Sequence, residues 1–228
     1  MLENLKEEVW RANLSLRDSG LVIRTWGNVS GRDPDTGLIV IKPSGVEYDE
    51  LRPSDLPVLS PDGKVVEGTL KPSSDAPTHL ELYKAFPEIF GVAHTHSEYA
   101  TVFSQAKRPI PALGTTHADY FPGGVPVTRL LTDEEIAGEY ELNTGKVVTE
   151  LFRDGGYKDT RAALVASHGP FCWGSSATEA ADVAFVLEEI AKLAWKTLIL
   201  SPEIGEMQPS LQAKHYIRKH GKNAYYGQ

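Results

Sequence analysis

The residues best suited to chemistry are histidines. Two of the seven form His94-Thr95-His96. On a strand, residues two apart point to the same face, so both imidazoles can converge on one metal ion. The same spacing also fits one histidine in the core and another in an ordinary surface contact. His168 adds weight to the metal reading, because it follows an apolar run and precedes Gly169-Pro170, which puts it at a strand end where sites form. Three imidazoles leave a zinc ion with an open position for substrate, as in catalytic sites. Asp75, in Pro72-Ser73-Ser74-Asp75, is a candidate fourth ligand and equally a helix N-cap before Pro77.

Three segments could hold an anion: Trp26-Gly27-Asn28, Lys42-Pro43-Ser44-Gly45 and Lys71-Pro72-Ser73-Ser74. Each joins a small, closely approachable backbone to hydroxyl, amide or ammonium donors. The third also stands at an expected helix N-terminus, where free N–H groups favour phosphate. Taken singly, each reads equally as a turn. Nucleotide motifs are missing from the sequence: there is no G-x-G-x-x-G, and Thr144-Gly145-Lys146-Val147 lacks the leading glycine and the Ser/Thr of a P-loop. Cys172 has apolar and aromatic neighbours and reads as packing rather than as a nucleophile.

The elements that must position these groups follow from periodicity. Leu2, Leu5, Val9, Ala12 and Leu16 keep helical spacing, with Gly20 at the stop. Short strands are expected at 21–26, 28–31, 38–41, 58–59 and 65–67, joined by Asp/Pro/Gly turns. A helix over 77–86, a strand over 89–95 and a short helix over 98–105 follow. Thr132 and Glu135 have capping-box spacing and open a helix expected to reach 152. Strands at 162–167 and 171–173 flank His168. Ser176 and Glu179 repeat the capping spacing before the longest helix, 177–200, and a last helix runs from 209 to Gly221. Tight turns rather than crossover helices join the early strands. The expected fold class is therefore α/β, with an antiparallel-rich sheet covered by helices.

Composition sets the outer bounds. With 41% hydrophobic and 24% charged residues in 228, the chain is neither disordered nor fibrous and can bury a sizeable core as one domain, 1–228. The balance of 23 Lys+Arg against 31 Asp+Glu gives −8, a field that repels nucleic acid but permits a small phosphorylated ligand in a local nest. One cysteine fits a reducing compartment, the beginning MLENLKEEVW lacks an apolar signal core, and no apolar run is long enough for a membrane helix. The expectation is a cytoplasmic protein with no nucleic-acid or membrane partner.

In order along the chain, Trp26-Gly27-Asn28-Val29-Ser30, Ile41-Lys42-Pro43-Ser44-Gly45, Lys71-Pro72-Ser73-Ser74-Asp75, His94-Thr95-His96 and Ser167-His168-Gly169-Pro170 resemble the class II aldolase/adducin family. The resemblance implies a three-layer α/β/α sandwich with a largely antiparallel central sheet, assembled as a homotetramer with sites between subunits. It implies one zinc per subunit on His94, His96 and His168, with Asp75 beside it. A small phosphorylated ketopentose would be held by Gly27, Asn28, Lys42, Ser44, Gly45, Ser73, Ser74, Thr115 and His215. Gly114-Thr115-Thr116-His117-Ala118-Asp119-Tyr120-Phe121 and the ending from Lys214 to Gln228 are similar to family members that epimerise. In them Asp119 and Tyr226 would exchange protons with the substrate, and the tail, about 222–228, would reach into a neighbour's site. Aldolase members carry Glu where this chain has Asp75, so the shorter side chain favours epimerisation. A non-catalytic adducin-like module would be expected to have lost the histidines.

Overall fold

Several strands are largely apolar yet alternate between two destinations. Ile39, Ile41, Val92, Phe171 and Trp173 enter one buried cluster, whereas Val40, Ala93 and Cys172 enter another. A strand covered on both faces requires that alternation. The computed structural model, which describes residues 2–222 and 224–226, contains such a sheet. Its strands are β1 (Asn28–Arg32), β2 (Ile39–Ile41), β3 (Val58–Leu59), β4 (Val65–Glu67), β5 (Gly91–His94), β6 (Ala162–Leu164) and β7 (Pro170–Gly174). They lie in the order β4-β3-β2-β1-β5-β7-β6, and each neighbouring pair is antiparallel.

Helices cover both faces. On one side pack α1 (Glu3–Asp18), α3 (Glu98–Ala106) and α7 (Ala177–Leu200), burying Val9, Leu16, Phe103 and Leu187. On the other are α2 (Ala76–Ala85) and α6 (Tyr140–Glu150), burying Leu82, Tyr83 and Val148. The short helices α4 (Thr115–Ala118) and α5 (Asp133–Ala137) lie in the connections, and α8 (Pro209–His220) packs on α4. This is the α/β/α sandwich around an antiparallel sheet that the sequence suggests. Contact is closest at Gly91, where a Cβ would come 2.0 Å from the Ser176 carbonyl oxygen, so only glycine lets β5 pass the start of α7.

Three local expectations are corrected. Residues 21–26 are not a strand: Arg24 takes a left-handed φ of 53° and the Trp26 N–H turns back to the Ile23 carbonyl at 3.0 Å. The helix opened by the Thr132–Glu135 box stops at Ala137, because Gly138 adopts ψ −130° and Asn143 Nδ2 donates to the Glu135 carbonyl in place of a helical N–H. The Ser176 box is half formed. Ser176 Oγ accepts from Glu179 N–H, but the Glu179 carboxylate instead accepts from Ser175 and pairs with Arg161. Cys172 is buried, as its neighbours suggest, and burial pushes its thiol pKa up.

Candidate active site

The antiparallel register sets the site. Asn28 is opposite His94, and His94 is opposite Phe171, so three neighbouring strands present these side chains on the face covered by α2 and α6. The His94 ring stacks on Phe171 with centroids 4.1 Å apart, and its Nδ1–H donates to the Pro170 carbonyl at 2.9 Å. Both contacts fix the ring and turn Nε2 toward the other histidines. That atom lies 3.1 Å from Nε2 of His96. Strand β5 ends at His94, so His96 stands just beyond it, yet the two imidazoles converge as H-x-H spacing suggests.

His168 completes the group. It follows Ser167, whose φ of 64° is in the left-handed region, a backbone cost held in place by a hydrogen bond from Ser167 N–H to the Ser104 carbonyl. Among the described residues, His94, His96 and His168 are the one group of potential ligands whose donor atoms all lie within 4.8 Å. Burial, then the neighbouring imidazoles, pushes His168 down to about 3, and burial and His94 lower His96, so both rings are neutral bases at physiological pH. His168 Nδ1 and Asn28 Oδ1 are buried without a protein partner. Converging ring nitrogens, with an orphaned buried nitrogen on His168, fit a divalent cation.

Asp75 adjoins this group. It occupies the N-cap position of α2 but makes no side-chain cap bond. Its Oδ2 accepts from Asn28 Nδ2 at 2.6 Å instead. Burial works against ionisation of Asp75, but His94, His79 and the Asn28 bond outweigh it and keep the carboxyl below its usual range. Behind it, fully buried His79 bonds through Nδ1 to Ser30 Oγ at 2.7 Å, and Ser30 also meets the Tyr83 hydroxyl at 2.8 Å. Sequence reading missed His79; its signal is the i+4 spacing from Asp75 on one helix face.

A cavity of about 310 Å³ joins the histidines to the anion segments. It is lined by Gly27, Asn28, Lys42, Ser44, Gly45, Ser73, Ser74 and Asp75, and also by Thr25 and Trp26. Two of its loops are zipped together, since Ser44 N–H donates to the Lys71 carbonyl at 2.9 Å and Ser73 N–H to the Lys42 carbonyl at 3.0 Å. Ser44, Gly45 and Ser74 line the cavity, and the Gly45 and Ser74 amides take no part in these loop-to-loop bonds. Lys42 is 1% exposed, and its ammonium donates to the carbonyls of Val46 at 2.8 Å and of Thr25 and Pro43 at 3.4 Å. Burial pushes its pKa down to about 8. Its protons are spent holding the surrounding loops.

The remaining expected residues gather elsewhere. Arg218 binds both carboxylate oxygens of Asp119 at 3.1 Å, and His215 Nδ1 lies 3.0 Å from Oδ1. Burial would raise the Asp119 pKa, but the bonds from Arg218 and His215 lower it overall. The Arg218 guanidinium also lies 4.1 Å from the centroid of the Tyr226 ring, which is 49% exposed. Thr115 is one turn before Asp119 and accepts its N–H at 3.0 Å. None of these four, Thr115, Asp119, His215 and Tyr226, lines the histidine cavity. Of the tail, Asn223, Gly227 and Gln228 lie outside the described residues.

The sequence pattern of the Class II Aldolase and Adducin N-terminal domain matches residues 7–195. The chain belongs to this family. Among solved structures, an L-fuculose 1-phosphate aldolase superposes with a TM-score of 0.78 at 27% identity, covering 93% of this chain and 94% of that one. YgbL of Escherichia coli, a candidate aldolase, epimerase or decarboxylase, gives 0.75 at 28% identity, covering 93% and 97%. The L-fuculose-1-phosphate aldolase of Thermus thermophilus gives 0.68 at 25%, covering 89% and 98%. The family match ends before α8, so the helix and tail that carry His215, Arg218 and Tyr226 lie beyond it. No helix among the described residues is long and apolar enough to cross a membrane.

Proposed function

We propose that this family member is a zinc-dependent L-ribulose-5-phosphate 4-epimerase, interconverting L-ribulose 5-phosphate and D-xylulose 5-phosphate in the breakdown of L-arabinose in the cytoplasm. The observation that carries the reading is the joining, in one cavity, of three converging imidazoles and the anion-suited segments at Ser44, Gly45 and Ser74. Such a cavity takes a phosphate at one end and oxygens of a ketose at the other.

The carbon to be inverted, C4, carries no acidic proton. Inversion therefore proceeds by breaking C3–C4, turning the aldehyde and re-forming the bond. The C4 hydroxyl loses its proton, C4 becomes an aldehyde carbon, and the C3–C4 electron pair passes into an enediolate across C2 and C3. His94, His96 and His168 would hold a zinc ion, whose Lewis acidity would lower the cost of forming the enediolate. Ser44, Gly45 and Ser74 hold the phosphate of the two-carbon fragment, so that only its aldehyde end turns. Asn28 ties Asp75 to the cavity wall. Asp119 and Tyr226 take and return the C4 hydroxyl proton on opposite faces.

That last role requires a second copy. The cavity of one chain lacks Asp119 and Tyr226, while Phe185, Leu193, Ile199 and Leu200 of α7 and Ile217 of α8 are exposed apolar groups available for association. We infer a homotetramer in which a neighbour's Asp119 cluster completes each histidine cavity.

A second reading, an aldolase that releases its fragments, is favoured by the L-fuculose-phosphate aldolases among the structural neighbours. Asp75 stands where aldolase members are expected to carry Glu, which supports the epimerase. NMR of the protein with L-ribulose 5-phosphate, with and without chelator, separates the two. D-Xylulose 5-phosphate is the expected product, and dihydroxyacetone with glycolaldehyde phosphate as main products would sink the reading. A folded protein that binds no zinc would point instead to a non-catalytic module.

A further inference from the structure

One large aromatic side chain at the cavity has no assigned part. Trp26 is 55% exposed, lines the cavity, and faces His96 with ring centroids 6.1 Å apart and planes at 51°. Its backbone is held firmly. The buried Tyr48 hydroxyl donates to the carbonyls of Trp26 at 3.1 Å and Gly27 at 2.8 Å, and Lys42 Nζ donates to the Thr25 carbonyl. Gly27 adopts φ +78°, and a Cβ there would meet Val22 Cγ1 at 2.8 Å and the His94 carbonyl oxygen at 3.0 Å. The loop is thus seated on the end of β5 and cannot slide. A pinned loop that displays a largely exposed indole beside the His96 ring leaves an apolar surface without a protein partner, and it does so at the histidine end of the cavity rather than at the serine end.

We propose that Trp26 is the wall that closes the histidine end over the three-carbon fragment, and so decides whether a turnover ends in re-addition or in cleavage. The proposal rests on the epimerase reading. Once C3–C4 has broken, the enediolate has two fates. It attacks the aldehyde carbon, re-forming C3–C4 and returning the proton to the C4 oxygen. Alternatively water protonates C3, which yields dihydroxyacetone and frees glycolaldehyde phosphate. Nothing but water is needed for the second fate, so the protein suppresses it by keeping water from C3. An indole carried on that pinned backbone beside His96 does so with its apolar face, and its size keeps the fragment from tumbling.

The test compares zinc-loaded wild type with Trp26→Ala and Trp26→Phe on L-ribulose 5-phosphate, counting cleavage products per epimer formed. The side chain is at the surface, so the fold should survive both changes. Trp26→Ala should raise the cleavage ratio about tenfold or more, whereas Trp26→Phe, which keeps a ring, stays within about threefold of wild type. An unchanged ratio in Trp26→Ala, with epimerisation persisting, overturns the wall. Wild type that makes no D-xylulose 5-phosphate would instead refute the epimerase reading, and the wall is then judged by fluorescence. Titration with phosphoglycolohydroxamate, a phosphate-bearing enediolate mimic, should change emission in wild type and leave Trp26→Phe unaffected. Emission that ignores the mimic, or that follows protein concentration instead, overturns the proposal.

Discussion

Asn28 Nδ2 donates to Asp75 Oδ2 at 2.6 Å, joining the first residue of β1 to the residue before α2. The bond crosses from sheet to helix layer and orients the carboxylate beside His94. Asn28→Asp removes the donor and sets a second negative charge against the first, and Asn28→Ala removes the donor alone. Both should fold, and turnover should fall about 10- to 100-fold, more in the Asp variant. Circular dichroism beside the epimerase assay checks it, and full activity in Asn28→Asp would contradict the assigned role.

Chelation should abolish turnover, and zinc should restore it. Because the ion would bind only the folded chain, removing it should also lower the thermal midpoint. His96→Ala should weaken zinc binding by at least about 100-fold, read by competition with a chromophoric chelator. An apparent affinity equal to wild type would remove His96 from the ligand set.

Tyr226→Phe should retain zinc and fold while losing about 10²- to 10⁴-fold in turnover, as loss of a general acid does. Tyr225→Phe should be milder. Mixing Tyr226→Phe subunits with His96→Ala subunits should recover activity, since some interfaces then pair an intact tail with intact histidines. Mixed oligomers verified by native mass spectrometry yet inactive would place the tail's action within its own subunit or nowhere.

Lys42 provides a pH signature. Its folded pKa, about 8, lies below its ordinary 10.5. Between those values the unfolded chain binds more protons than the folded one, so stability from this group increases as pH rises through the window. The stability of wild type relative to Lys42→Met should therefore climb from pH 8 to pH 10, measured by urea unfolding at several pH values. A flat difference would mean that the ammonium is not buried as described.

Gly91→Ala should cost about 3 kcal/mol by forcing β5 off the start of α7. For a chain of this size that lowers the melting point by roughly 10 °C. Calorimetry showing no shift would mean the two elements are less closely packed.

How much of this was legible in the sequence depended on whether the signal was local. The histidine triad could be read because H-x-H spacing and a histidine before Gly-Pro are short-range patterns. The sheet could be read because Asp/Pro/Gly turns separate apolar runs. The break at Gly138 could not be read, since it depends on Asn143 reaching back to the Glu135 carbonyl. The segment 21–26 looked like a strand by composition, but Lys42 and Tyr48, distant in sequence, bind its carbonyls and hold it as a loop. Asp119 and Tyr226 carry no spacing signal at all and entered only through family resemblance. Arg218, which joins them, was visible only as part of a similar ending; its i+3 spacing from His215 places both on one face of α8.

The pairing of β5 with β7 has a further effect on how the protein matures. His94 ends β5 and His96 stands just beyond it, whereas His168 lies two residues before the first residue of β7, and four helices and a strand separate them along the chain. No contiguous fragment shorter than that span contains all three ligands. An ion that needs all three cannot be captured by the nascent amino-terminal half. It would bind after β5 and β7 have paired, the arrangement in which His94 meets the Pro170 carbonyl. If the triad holds an ion as proposed, loading is a late event in biogenesis, and bound metal would measure how many chains have completed the central sheet rather than how many have been made.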